Sequence, residues 1–490
     1  MNTPAEETPL GARPEGRQTQ LFWRGRPVQP SAAAGVFLLG SLIILVVGVS
    51  LNYALTEGRW ESPRQTVASP FGDSPTYLTA SPYDVTSLVI LLLALVALGS
   101  GFVAAYSPRL KSQWPLVTAG LATLALVASL FGPQAHHSLF LVLAAVFGIA
   151  TLVWVLGSLL GPGPRMHQVR ALGFVLFGFY WATQAMRLYA AEEGDIVNGA
   201  FAAFAVLFFN YFAYHEILSL QRNEDPRALH WLAGASFLTT GVYLATHKLQ
   251  VVSEWLILRV SEQTTWLLQL FDQPVERGGG APEGSMILYP NVPTEYVFPI
   301  QIILACTAIQ SIMIFVGGIL ALRPPVHGEG LSGKPNMFER LRPSYHSRRF
   351  FALLLTVPLI YALNLLRNLI IIMTSANGNP PVFNSSPGAT AFICQFTTRP
   401  GCGPADAAFW FSHNIIGKGG SLVALVIIAF MVFQILPELY DSIIGLLDLK
   451  ARRGPLERWF GQHFGRRGNG RTPERAPAPA ATPDVPEARP

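Results

Sequence analysis

The sequence predicts an all-α, polytopic transmembrane helical bundle, and three observations predict it. Of 490 residues, 51% are hydrophobic and only 13% charged, against roughly a quarter charged in an ordinary globular chain. Apolar runs repeatedly approach or pass the ~20 residues that carry a helix across a bilayer. These runs are continuous instead of alternating, which excludes a β-barrel.

About ten spans are expected, near 31–55, 84–106, 115–131, 138–160, 171–191, 196–220, 229–246, 298–322, 350–375 and 412–437. Residues 1–30 form a polar lead with Pro4, Pro9, Pro14 and Pro27, read as disordered and cytoplasmic. The first apolar run has no obvious A-x-A cleavage site, so it reads as an anchor and not a removed signal peptide. Loop charge then orients the bundle, because Lys and Arg collect in cytoplasmic loops. With the N-terminus inside, most of the 34 Lys and Arg fall in inside segments, among them Arg13, Arg109, Lys111, Arg165, Arg222, Arg323 and Arg348. Both termini are therefore expected in the cytoplasm. The net charge of +5 reports this orientation, and no nucleic-acid partner is inferred.

Three regions follow: N-terminal membrane spans over 31–228, a membrane region over 229–449 that carries the candidate chemistry, and a tail over 450–490. The tail begins as the basic amphipathic stretch LLDLKARRGPLERWFGQHF, suited to an anionic inner surface. After Arg471 its Pro- and Ala-rich composition cannot bury a core and reads as disordered. Two outside segments are long. The first begins VVSEWLILRVSEQTTWLLQLF; Glu254, Arg259 and Glu262 make it too polar to span, so it is expected at the surface or as a re-entrant helix. SMILYPNVPTEYVF then reads as a hairpin about Pro290-Asn291. The second, 375–411, holds Cys394 and Cys402, expected to pair as a disulfide in an oxidising compartment.

Cys306, Arg367 and His413 lie in three different spans. Counted from the outer ends, Cys306 lies about 12 Å deep and Arg367 about 10 Å deep at 1.5 Å per residue, with His413 at the same face. A cysteine in an apolar helix is by itself a small hydrophobe, and a histidine at a water boundary carries no information alone. Arg367 differs, because a charge at that depth costs at least a few kcal/mol and marks a polar site unless it snorkels. Asn364, Arg367 and Asn368 share one helical face at i, i+3 and i+4, and Gln310 is expected one turn below Cys306. Matched polar stripes imply a hydrated or hydrogen-bonded cleft. A buried thiol becomes nucleophilic when a cation or base favours its thiolate. A guanidinium can also receive an oxyanion, and an imidazole can carry the proton. The reaction class is acyl transfer through a thioester, with no metal or cofactor expected.

The motifs ACTAIQSIMIF, LNLLRN and FSHNIIGKGGSLVALVIIAFMVFQILPEL, in this order on successive spans, resemble the exosortase/archaeosortase family, most of all its archaeosortase members. The resemblance covers roughly 229–449. It implies a multi-pass plasma-membrane enzyme that cleaves exported proteins bearing a C-terminal sorting signal of motif, transmembrane helix and basic tail, its site facing the extracytoplasmic side. The new C-terminus would pass to an acceptor, in archaeosortases a lipid. Cys306 is implied as nucleophile and Arg367 as a second essential residue. The third position stays open. His413 matches the exosortase histidine and suits proton transfer, while archaeosortases use an arginine near here and this chain has Lys418. The rival readings are an intramembrane cysteine protease without transfer, and a transporter with Arg367 in an anion site.

Overall fold

The computed structural model describes residues 22–23, 26–58, 65–67, 77–79, 82–105, 114–131, 137–190, 196–278, 285–288, 300–324, 344–376, 386–395, 402–452 and 454–464. Most of the expected disordered lead, the Pro290-Asn291 turn and the tail beyond 464 lie outside them. The chain divides into two units, one of Phe37–Leu449 and one of Met1–Val36 with Lys450–Pro490. In the smaller unit β1 (Phe22–Trp23) pairs antiparallel with β2 (Arg26–Pro27), and a ten-residue amphipathic helix covers Pro455–Phe464.

The larger unit is built mainly from helices. Helices α1 (Pro30–Leu55), α2 (Pro82–Ala104), α3 (Trp114–Phe131), α4 (His137–Leu160), α5 (Pro164–Ala190), α6 (Ile196–Arg222) and α7 (Arg227–Lys248) follow in order. A short ladder, β3 (Gln65–Val67) with β4 (Tyr77–Thr79), links the first two. Among the described residues, six helices are long and apolar enough to cross a membrane: α1, α2, α4, α6 and the segments Tyr345–Thr374 and Asp406–Ile435. Pro115–Leu130 and Ile309–Leu320 are shorter apolar helices. The fold is thus an all-α, multi-pass membrane architecture.

Helix α2 sits innermost, because Ala94, Ala97, Gly99, Ser100 and Gly101 let its neighbours approach closely. Leu91, Leu95 and Leu98 pack with Phe174, Phe177, Phe209, Phe212 and Leu229 from α5, α6 and α7. Helices α5 and α7 fall outside the six apolar spans, since each carries polar groups that the interior satisfies. Arg170 is fully buried. Its guanidinium lies 2.9 Å from Glu216 Oε1 and donates to Asp225 Oδ1 at 2.8 Å. His167 Nδ1 stands 2.7 Å from Glu216 Oε2. His230 Nδ1 faces Arg323 at 2.8 Å and Arg170 at 3.3 Å. Two guanidiniums can only donate, so that nitrogen accepts and carries no proton.

Helix α8 (Gln250–Leu270) is an unbroken 21-residue helix. Ile257, Val260, Ser261, Thr264 and Leu268 form its buried face, while Arg259 is exposed and Glu254 and Glu262 are half-buried. That face packs on an antiparallel sheet in the order β5 (Glu276–Arg277), β6 (Ser285–Leu288), β7 (Ile300–Ile302), with Ile287 opposite Ile300.

The expected eighth span is not one helix. β7 leads into a 3-10 turn, Leu304–Thr307. Ala308 takes the left-handed conformation at φ 62°, and helix α9 runs only over Ile309–Leu320. Helix α10 (Tyr345–Ala376) follows. Arg348 near its start is ion-paired to Glu438, which lies in α14 (Pro437–Leu447). Between them come α11 (Pro387–Cys394), α12 (Pro404–Phe411), a π-helical stretch Ser412–Gly417 and α13 (Lys418–Ile435).

Candidate functional site

The cysteine sits where the local chain changes direction. Cys306 is the free cysteine of the chain and is half-buried. It packs against a core of Ile257, Val260, Leu268, Ile287, Ile300 and Ile302, from α8 and the sheet. Its N–H donates to the Ile303 carbonyl at 2.8 Å, which closes the turn. Its carbonyl accepts from the side-chain amides of Asn364 at 2.7 Å and Asn368 at 3.0 Å. The polar face read from LNLLRN therefore meets the cysteine turn directly. Helix α9 is in turn fixed to α7: Trp231 Nε1 donates to the Gly318 carbonyl at 2.8 Å, and Thr239 Oγ1 to that of Met313 at 3.1 Å.

Arg367 lies between the two asparagines on α10. It is close enough to Cys306 for the two to interact electrostatically. It also lines a cavity of about 210 Å³ with Ala308 and Ser311 of the α9 entry, Asn364, and Gly417, Gly420 and Ser421 across from it. The remaining walls are apolar, from Ile360 and Leu363 to Ile428. Arg367 Nε is buried and makes no hydrogen bond among the described residues. A desolvated donor left without a partner is costly, so the pocket has spare capacity for an acceptor. The first backbone bond of α9 runs from Ile312 N to Ala308 O. The preceding amides, on residues 309–311, thus head the helix at the same end as the cavity.

Of the two residues expected at the third position, one lies in the π-helical stretch and the other just beyond it. A π-turn widens the helix by one residue and recurs at functional sites. His413 lies in it, its ring stacked on Phe409 with centroids 5.7 Å apart. Lys418 opens α13. Neither is among the residues lining the cavity, and Cys306 itself is not. Gly417 of this stretch approaches Arg367 closely: a Cβ there would stand 3.2 Å from Arg367 Nε and 2.7 Å from Ile371 Cδ1. Gly417, Ser311 and Ser421 were not singled out from the sequence; a glycine in the apolar run of GKGG was the available signal. Gln310 is turned elsewhere. Its amide donates to the Tyr243 hydroxyl on α7 at 3.2 Å, because the left-handed step at Ala308 takes the first turn of α9 off the helical register with Cys306.

The entry of the third segment is tied down locally. Cys394 and Cys402 are joined as a disulfide with Cα atoms 5.8 Å apart, linking α11 to the residues before α12. Gly403 N donates to Asp406 Oδ2 at 3.1 Å, capping α12. Ile393, Ala407 and Ala408 bury the contact between the two short helices.

Over 148 residues the chain is 29% identical to archaeosortase A of Haloferax volcanii. The chain is similar to an archaeosortase. The match takes in 30% of this chain and 40% of archaeosortase A, so it spans well under two thirds of that relative's length. It agrees with the resemblance read in the three motifs. No family model matches the chain, and no solved structure matches it.

Proposed function

We propose that this protein is a membrane-embedded cysteine transpeptidase, with Cys306 as nucleophile and Arg367 as its cationic partner. The observation that carries the reading is the Cys306 turn, bound through its carbonyl to Asn364 and Asn368 on either side of Arg367. The similarity to archaeosortase A supports the same class of chemistry.

In this reading the Cys306 thiolate attacks the scissile carbonyl of an exported protein near its C-terminal sorting signal. The guanidinium of Arg367, with its unpartnered Nε, receives the oxyanion that develops. Collapse of the tetrahedral adduct breaks the C–N bond, and the leaving amine takes the proton that came from the thiol. His413 is the favoured carrier of that proton, because an imidazole titrates near neutral pH and an ammonium does not. Lys418 is the alternative, as a second fixed cation. The thioester is then resolved by an acceptor, a lipid or another nucleophile; water in that role would make the enzyme a protease. The site faces the extracytoplasmic side of the plasma membrane in a chain of ten spans with both termini cytoplasmic.

Co-expression with an exported protein ending in motif, apolar helix and basic tail tests this reading. Cys306→Ser keeps the shape but lacks a readily ionised nucleophile, so full-length substrate is expected to accumulate. Normal maturation with the serine variant removes the assignment. A lipid-bearing product separates transfer from hydrolysis.

A further inference from the structure

We propose that Asn364 and Asn368 are positioning residues that hold the Cys306 turn out of helix α9, and that without them α9 winds on through Cys306. The importance for catalysis rests on the reading of Cys306 as nucleophile; the conformational claim stands apart from it.

No helix-breaking residue ends the helix there; the local bonds of the 3-10 turn, from Cys306 N to Ile303 O and Thr307 Oγ1 to Leu304 O, are ones a continuous helix could replace. Residues 303–310, ILACTAIQ, contain neither glycine nor proline, and Ala is the strongest helix former. Yet Ala308 stands at φ 62°, a conformation that L residues other than glycine adopt rarely. In an uninterrupted helix the Cys306 carbonyl would accept from the Gln310 N–H, four residues on. Here it is turned outward and takes both bonds from α10, at 2.7 and 3.0 Å. A carbonyl has two lone pairs, and the two amides suffice to use them. The α10 pair therefore replaces the intrahelical partner that the sequence would otherwise supply.

The same exchange leaves the leading amides of α9 outside the backbone ladder, whose first bond is Ile312 N to Ala308 O. Winding the helix back would consume the Gln310 amide, carry Cys306 into regular helix and change its placement relative to Arg367. The thiol and the head of α9 are thus set by α10, the helix that also carries the guanidinium. One rigid element would hold both reacting groups in register.

The test is hydrogen exchange of the full-length protein in detergent micelles. In Asn364→Leu/Asn368→Leu the amides of residues 309–311 are expected to exchange at least about tenfold more slowly than in the wild type, as they gain carbonyl partners. Simple loss of packing moves them the other way, so faster exchange across 303–320 overturns the proposal, as does no change. Adding Ala308→Gly, which admits the left-handed conformation without penalty, should restore fast exchange; continued slow exchange also counts against it. Should the double variant fail to insert, Asn368→Leu alone must slow the same amides, and an unchanged rate refutes the idea. Substrate processing is measured alongside. Slowed exchange with normal processing would leave the clamp intact and sink Cys306 as nucleophile, whereas loss of processing without slowed exchange would do the reverse.

Discussion

Gly417→Ala tests how tightly the π-helical stretch is fitted to Arg367. The added methyl would stand 2.7 Å from Ile371 Cδ1 and 3.2 Å from both Arg367 Nε and the Ser412 carbonyl. The first contact is relieved cheaply, since Cδ1 is the free end of a side chain. The second requires the guanidinium to give by a few tenths of an ångström, and the third involves backbone. Overpacking of this kind costs about 1–3 kcal/mol, while replacing glycine by alanine inside a helix returns about 1 kcal/mol. Stability should therefore fall by no more than about 2 kcal/mol. Activity should suffer more, because misplacement of a positioned group by about 1 Å can cost ~100-fold; for the smaller shift here we expect roughly tenfold slower processing. The assay pairs the rate of substrate maturation with thermal unfolding in micelles. Gly419→Ala is the control, since a Cβ there meets nothing within 4 Å. Wild-type processing by Gly417→Ala would refute the idea that this glycine exists to admit Arg367.

Other expectations follow from the same geometry. Arg367→Lys should be nearly as inactive as Arg367→Ala in the maturation assay, because lysine keeps the charge but loses the planar fork and the Nε donor; substantial activity would reduce Arg367 to a source of field. Arg170→Met should destabilise the protein by about 3–5 kcal/mol, since it leaves the buried Glu216 without its guanidinium. Pairing it with Glu216→Gln should recover part of the loss, and unfolding curves of both variants decide. His413→Ala should stop maturation while Lys418→Ala slows it less; the opposite ranking would make the site a thiolate between two cations.

Much of the architecture was legible because hydrophobic length is a strong signal. Helices lie over most of the expected spans, including α5 and α7, whose polar residues lower their hydropathy but are buried in the Arg170–Glu216–His230 cluster, whereas the eighth expected span is a strand, a 3-10 turn and a short helix. The break at Ala308 was not legible. It is imposed by two asparagines some sixty residues away, while the local sequence favours continuous helix. The polar face of LNLLRN could be read from its spacing, yet that spacing does not say that Asn364 and Asn368 would take the Cys306 carbonyl. Gln310 was placed by an assumed helical register that the left-handed residue cancels. The π-turn also escaped notice, because widening a helix by one residue leaves no compositional trace in SHNIIG. Helical spacing therefore does not fix how His413 and Lys418 are turned relative to each other, and their roles rest on chemistry alone.

The most direct test of the central claim is to find the acyl group on the enzyme. Purified protein incubated with a substrate carrying motif, apolar helix and basic tail would be quenched in acid and digested for mass spectrometry. The account predicts that the peptide containing Cys306 gains the mass of the substrate's new C-terminal fragment, through a bond that hydroxylamine cleaves. Substrate cleavage that continues at the wild-type rate after Cys306 has been alkylated would contradict it.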